Sequence, residues 1–234
     1  MKLNLIKFFQ LVANESYVVI KPSELLPEYK IGSDIDIFCL HSSRFIEKVS
    51  TFLASYVCEN SSVKVKDELD KAHIDYIVDG KIHFRFDIYK SLPRYQNITL
   101  KPAFFSSVVE SANEVILSVS SEEALVKVPS IVDDFIIRYV EYHEYYAQRP
   151  DKIKHIHYIQ QKLSKNDSDV ARALDKLHYY TSFPQSEYRA KAYKERFLEK
   201  IAYYRSLLLK VRHLYINVGF KSVMIRIFKK LGFK

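Results

Sequence analysis

The sequence predicts an α/β protein: a small mixed β-sheet flanked by helices over residues 1–128, followed by an α-helical domain over 129–234. Three observations carry this. The first half holds short β-rich runs with period-two alternation, among them a hairpin signal at Asp79-Gly80. Between the runs lie segments with apolar residues three and four apart, the helical period. Beyond Pro129 only the helical period remains. No Gly/Ser-rich linker separates the halves, so they are expected to pack together.

Taken in order, residues 2–15 space Leu3, Ile6, Phe9 and Val12 as a helix. Tyr17–Ile20 reads as the first strand, and Pro22–Pro27 as a turn with at most a short helix. Asp34–Leu40 is the second strand. Phe45, Ile46, Val49, Phe52 and Leu53 then give Ser43–Val57 a helical stripe. Ser62–Lys66 is a candidate strand. His73–Val78 and Lys81–Tyr89 are the arms of a hairpin turning at Asp79-Gly80, a dipeptide suited to a type I′ turn. On the second arm Ile82, Phe84, Phe86 and Ile88 are expected on one face, and His83, Arg85, Asp87 and Tyr89 on the other. A short helix over Phe104–Ser111 and a strand over Glu114–Val119 follow. Ser130, with Asp133 three residues on, caps a helix running towards Arg149-Pro150. Further helices are expected from Asp151, from Asp167 or Asp169 to Pro184, over Ser186–Val218 and over Lys221–Leu231.

The chemistry concentrates in Ser33-Asp34-Ile35-Asp36-Ile37. Residues two apart on a strand share a face, so Asp34 and Asp36 project together while Ile35, Ile37 and Cys39 face a core. Two anions on one face repel unless a cation lies between them or one is protonated. Beside the Gly32-Ser33 turn they could seat a hard divalent ion such as Mg²⁺ or Mn²⁺; facing water, they would be a polar strand edge. Asp87 could join them as a third donor, or pair with Arg85 or Lys81.

Composition removes several classes. No apolar run reaches the roughly 18 residues a membrane span requires. The N-terminal MKLNLIKFFQLVANES lacks the apolar core and cleavage site of a signal peptide, and two isolated cysteines, Cys39 and Cys58, make neither a disulfide framework nor a zinc site. A reduced, cytoplasmic setting is expected. The net charge of +8 is unevenly spread. Residues 186–234 hold 13 Lys/Arg against 3 Asp/Glu, leaving −2 for the preceding 185 residues. The amphipathic, basic segment Lys221–Lys234 could lie on an anionic membrane surface or other polyanion, or dock on the chain's own helices. Lys152, Lys154, His155 and His157 crowd one helix start as a phosphate-binding cluster or a solvated basic face, and Lys127 is a further phosphate candidate.

The layout of these parts resembles the DNA polymerase β-like nucleotidyltransferase superfamily. The matching parts are the strand Tyr17–Ile20, a turn with Ser23, Ser33–Ile37 on a second strand, and Asp87 within His83–Tyr89 on a later one. The likeness covers about residues 15–90. It is similar, more narrowly, to small bacterial members encoded with surface-polysaccharide genes, which carry V-h-[RK], L-P, SDIDI and a later K-x-K-H. The resemblance implies Asp34, Asp36 and Asp87 as catalytic residues and metal ligands for Mg²⁺ or Mn²⁺, with Asp87 assisting deprotonation of an acceptor hydroxyl. It implies a nucleoside triphosphate donor and a small-molecule or carbohydrate acceptor, with Lys21, Ser23, Ser33 and Lys154 as nucleotide-binding candidates. The superfamily usually has Gly-Ser or Gly-Gly in the first turn. Here Pro22-Ser23 stands there, without a proline N–H or glycine's freedom, and Lys21 and the Ser23 hydroxyl are expected to meet the phosphates instead. Two other readings remain open: a nucleotidyltransferase-like binding or assembly protein without catalysis, and RNA-directed nucleotidyl transfer, which rests on the basic tail alone.

Overall fold

The protein was analysed as a computed structural model that describes residues 2–93, 95, 98–146, 152–165 and 168–181. The helices expected beyond Pro184, including the basic Lys221–Lys234 segment, lie outside the described residues. Met1–Phe183 form one compact unit, so the strands and the helices that follow them belong together.

Helix α1 (Leu5–Val12) starts at Asn4, whose side chain accepts from the Lys7 N–H at 3.2 Å. It buries Leu5, Ile6, Phe8, Phe9 and Val12, the stripe its sequence spacing requires. Strands β1 (Tyr17–Ile20) and β2 (Ser33–Cys39) flank the Pro22–Pro27 turn, and α2 (Ser42–Ala54) follows. Strands β3 (Ser61–Asp67), β4 (Lys71–Val78) and β5 (Lys81–Tyr89) complete a five-stranded sheet of order β1-β2-β5-β4-β3. Only β2 and β5 run parallel; the other neighbours are antiparallel, so the sheet is mixed as expected. Asp79 and Gly80 have φ of 49° and 70°, the paired positive values a type I′ hairpin demands.

One side of the sheet is sealed by α1 and α2. Val19, Ile35, Ile37, Phe84, Phe86 and Ile74 join their stripes in one core. Phe8 lies at its centre, with ring centroids 4.8–6.2 Å from those of Phe9, Phe45, Phe52 and Phe86. Alternation then sends every second residue of β2 and β4, and of β5 from Phe84 onward, to the opposite side.

Three departures from the sequence reading have local causes. Ile82 is exposed although Phe84, Phe86 and Ile88 are buried, because pairing shifts by one residue between Tyr76 and Ile77 and breaks the alternation there. A strand absent from the sequence reading, β7 (Glu122–Val128), pairs antiparallel with β6 (Asn113–Val119); its turn holds Ser120 at φ 58° without glycine. This hairpin packs against α1 and β1. Lys127 donates to the Ala13 and Glu15 carbonyls at 3.0 and 2.8 Å, capping the end of α1.

After α3 (Ala103–Glu110) and the β6–β7 hairpin, all described secondary structure is helical apart from a single bridge between Leu100 and Thr181: α4 (Ile131–Glu141), a π-helical turn (Tyr142–Tyr146), α5 (Ile153–Ser164) and α6 (Ser168–Tyr180). Ser130 caps α4, accepting from the Asp133 N–H at 3.2 Å. Helix α3 packs on β1 and β2, with the Phe105 ring 4.7 Å from that of Phe38. No helix among the described residues is long and apolar enough to cross a membrane.

The aromatic centre sets a stability expectation. Phe8→Ala removes a fully buried ring and is expected to cost about 3–5 kcal/mol in urea unfolding. A loss below about 1 kcal/mol would show that α1 does not pack the sheet as described.

Candidate functional site

Asp34 and Asp36 alternate with the buried Ile35 and Ile37, and so project from the face opposite the α1–α2 core. Gly32, at φ 82°, makes the turn into β2 and donates its N–H to the His83 carbonyl at 2.9 Å, which extends the β2–β5 ladder. In that ladder Asp36 lies beside Asp87 and Asp34 beside Arg85. All three acids therefore share one face.

Their surroundings differ. Asp34 is exposed, Asp36 half-buried, and Asp87 only 5% exposed. The carboxyl of Asp36 is pushed above its ordinary range, first by burial; Lys21 and Lys71 oppose the rise, and Asp87 and Asp34 add to it. Lys21 Nζ lies 3.6 Å from Asp36 Oδ2 and donates to both Glu141 oxygens, at 2.7 and 2.9 Å. Asp87 accepts from Lys71 Nζ on Oδ2 at 2.6 Å and from His73 Nδ1 on Oδ1 at 2.7 Å. Arg85 does not neutralise Asp87: it forms a bidentate pair with Asp75, at 2.6 and 3.0 Å. Beside Lys71, which donates to its hydroxyl at 3.0 Å, Tyr89 has a phenol pushed upward by burial first and then by Asp36, Asp87 and Glu141.

A cleft of about 750 Å³ opens over Asp34 and Asp36. Lys21, Ser23, Ser33 and Lys154, the other residues singled out from the sequence, also line it, whereas Asp87 does not. Ser33 Oγ is buried there without a hydrogen-bond partner among the described residues, while Ser23 Oγ accepts from the Leu25 N–H at 3.2 Å. Lys21 leaves β1 at φ 49°, a left-handed conformation that costs a non-glycine residue on the order of 1 kcal/mol and turns the chain sharply at the cleft. The far wall comes from the helices and carries the cations Arg138 of α4 and Lys152 and Lys154 at the start of α5, with His155 beside them. Arg138 is held by Asp134 at 2.8 Å and reaches His155 Nδ1 at 3.0 Å. Arginine is always a donor, so this nitrogen accepts. The imidazole is pushed down in pKa by burial first, then by Arg138, Lys21 and Lys152, with Glu141 opposing. His157 is exposed and lies away from the cleft lining.

Sequence reasoning missed Lys71, His73, Arg138 and Glu141. The first two were signalled by polar residues at alternate positions of β4, opposite Ala72, Ile74 and Tyr76. Asp134, Arg138 and Glu141, spaced four and three apart on α4, signalled the last two. Among the described residues no three His, Cys, Asp or Glu side chains are grouped closely enough to hold a metal ion. Both Asp87 oxygens are already engaged by cationic or N–H donors.

The raised Asp36 pKa has a stability consequence. The folded chain binds this proton more readily than the unfolded chain, so ionisation of Asp36 opposes folding. Asp36→Asn is expected to be more stable than the wild type at neutral pH. The margin should shrink as pH falls from the raised value towards about 3.9, the ordinary Asp value. Urea unfolding across that range measures the difference, and a less stable variant at neutral pH would show that Asp36 is chiefly a structural partner of Lys21. No protein-family model, curated protein or solved structure matches this chain, so the functional reading stands on the cleft itself.

Proposed function

We propose that this chain is a divergent nucleotidyltransferase of the DNA polymerase β-like type. It would move a nucleoside monophosphate from a nucleoside triphosphate onto a small-molecule or carbohydrate acceptor. The observation that carries the reading is one cleft with paired carboxylates on its sheet floor and a cationic helical wall facing them. Its volume is in the range that small ligands occupy. The parallel β2–β5 pair, with Asp36 beside Asp87, supports the corresponding fold assignment.

The donor set fits a divalent cation at Asp34 and Asp36. Both offer hard oxygen ligands at the cleft, and the negative charge of the neighbouring acids, which adds to the burial-driven rise of the Asp36 pKa, is what a cation would relieve. Asp87 already accepts from Lys71 and His73 and does not line the cleft. Mg²⁺ or Mn²⁺ bound there would neutralise phosphate charge as it shifts from attacking to leaving oxygens. Around it, Lys154 and Arg138 offer charged donors to phosphate oxygens, and the unpartnered Ser33 hydroxyl offers a neutral one. Lys21 is already paired with Glu141, so a phosphate meeting Lys21 would share it with that carboxylate.

A second reading is favoured by the occupied Asp87 and by Pro22-Ser23 in the first turn: a nucleotide-binding partner protein without turnover. Titration calorimetry with Mn²⁺ and each ribonucleoside triphosphate tests what the two share. Metal-dependent nucleotide binding is expected in the wild type and lost in Asp34→Asn and Asp36→Asn. Equal metal affinity in all three proteins would leave the acids as a polar sheet edge. Pyrophosphate release separates the enzyme from the binding protein.

A further inference from the structure

We propose that His73 is the catalytic base that takes the acceptor's proton, and that Asp87 is the positioning residue that holds it. This inference rests on the nucleotidyl-transfer reading and changes the role that Asp87 would have in it.

A general base must present an unshared electron pair to the proton it removes. Asp87 is poorly placed for this: it is 5% exposed, and Lys71 and His73 already donate to its two oxygens. What it can do is fix the imidazole. A carboxylate only accepts, so Nδ1 of His73 carries the proton directed at Asp87 Oδ1, 2.7 Å away. In the neutral ring the lone pair then belongs to Nε2, which has no hydrogen-bond partner among the described residues. The ring is open to an acceptor, at 23% side-chain exposure, because α3 covers β1 and β2 and leaves this part of the face accessible.

Position and anchoring agree with the role. Asp36, Asp87 and His73 occupy matching positions on the adjacent strands β2, β5 and β4, so an acceptor resting over Asp87 would have the acid pair on one side and the imidazole on the other. Lys71 holds the second Asp87 oxygen and the Tyr89 hydroxyl, and Tyr89 lies near enough to Asp36 to feel its charge. The pair is thus tied to the cleft floor. The charged groups facing His73 come from three strands: Lys71 and Asp75 of β4, Asp87 of β5, and Lys66 of β3, with Glu68 just beyond it.

In the step itself, the acceptor hydroxyl gives its proton to His73 Nε2 while its oxygen forms a bond to the α-phosphorus. The bond from that phosphorus to the bridging oxygen of the β-phosphate breaks, and pyrophosphate leaves with the electron pair. The imidazolium returns the proton to solvent. No other reactant is consumed.

The test uses the full chain with Mg²⁺ and ribonucleoside triphosphates, with water standing in for the acceptor. Pyrophosphate release is followed at neutral pH. His73→Gln should fall on the order of 100-fold and keep its nucleotide affinity and melting temperature. A ¹⁵N–¹H spectrum of the unmutated protein should show His73 as the Nδ1–H tautomer whatever its activity. An Nε2–H tautomer overturns the assignment, as does wild-type release in His73→Gln when Asp36→Asn is inactive; in those cases the transfer reading survives. Nucleotide bound but never turned over by the wild type overturns the catalytic role. Absence of metal-dependent nucleotide binding overturns the underlying reading and this role with it.

Discussion

The arrangement of the site depends on the parallel register of β2 with β5. That register sets Asp36 beside Asp87 across neighbouring strands, where like charges destabilise a sheet. It is tolerated because a cation flanks each acid: Lys21 approaches Asp36 and Lys71 holds Asp87, which also accepts from the His73 ring N–H. On the other side of the same strands, Ile35, Ile37, Phe84, Phe86 and Ile88 bury against α1 and α2. Slipping the register by one would drive the acids into that core and expose the apolar side chains. Hydrophobic burial on one face therefore enforces electrostatic crowding on the other.

The helices extend this logic. Glu141, the last residue of α4, reaches Lys21 just before the chain enters a π-helical turn, and π turns are enriched where a helix is adjusted for function. Lys21 itself sits in a left-handed conformation that most side chains avoid. Its ammonium lies between Asp36 and Glu141, so the sheet and α4 meet through one cation. A ligand phosphate entering the cleft would perturb that contact directly, which couples binding to the seating of α4.

Much of this was legible in the sequence, and what was not has definite causes. The Asp34–Asp36 alternation needs only the strand period, and the Asp79-Gly80 turn announces its own hairpin. The partner of Asp87 was hidden by the irregularity between Tyr76 and Ile77. Near the turn, Val78 faces Lys81 and Ile77 faces Ile82; beyond the shift, Tyr76 faces Phe84 and His73 faces Asp87. An uninterrupted hairpin would set His73 against Phe86, so one extra residue decides whether the imidazole meets the acid. Strand β7 was hidden because its turn uses two serines and its first residues are Glu122 and Glu123. Arg138 reaches the cleft, and Glu141 the cleft residue Lys21, only through tertiary packing that helix periodicity does not encode.

The central claim is that the cleft holds a metal-bound nucleotide between the acid pair and the cationic wall. The most direct measurement is a crystal structure with Mn²⁺ and a triphosphate whose α,β-bridge resists cleavage, with anomalous scattering locating the metal. The account predicts a manganese peak bound by Asp34 and Asp36, with phosphate oxygens directed towards Lys154 and Arg138. Nucleotide bound away from this cleft, or manganese bound without either carboxylate, would contradict it.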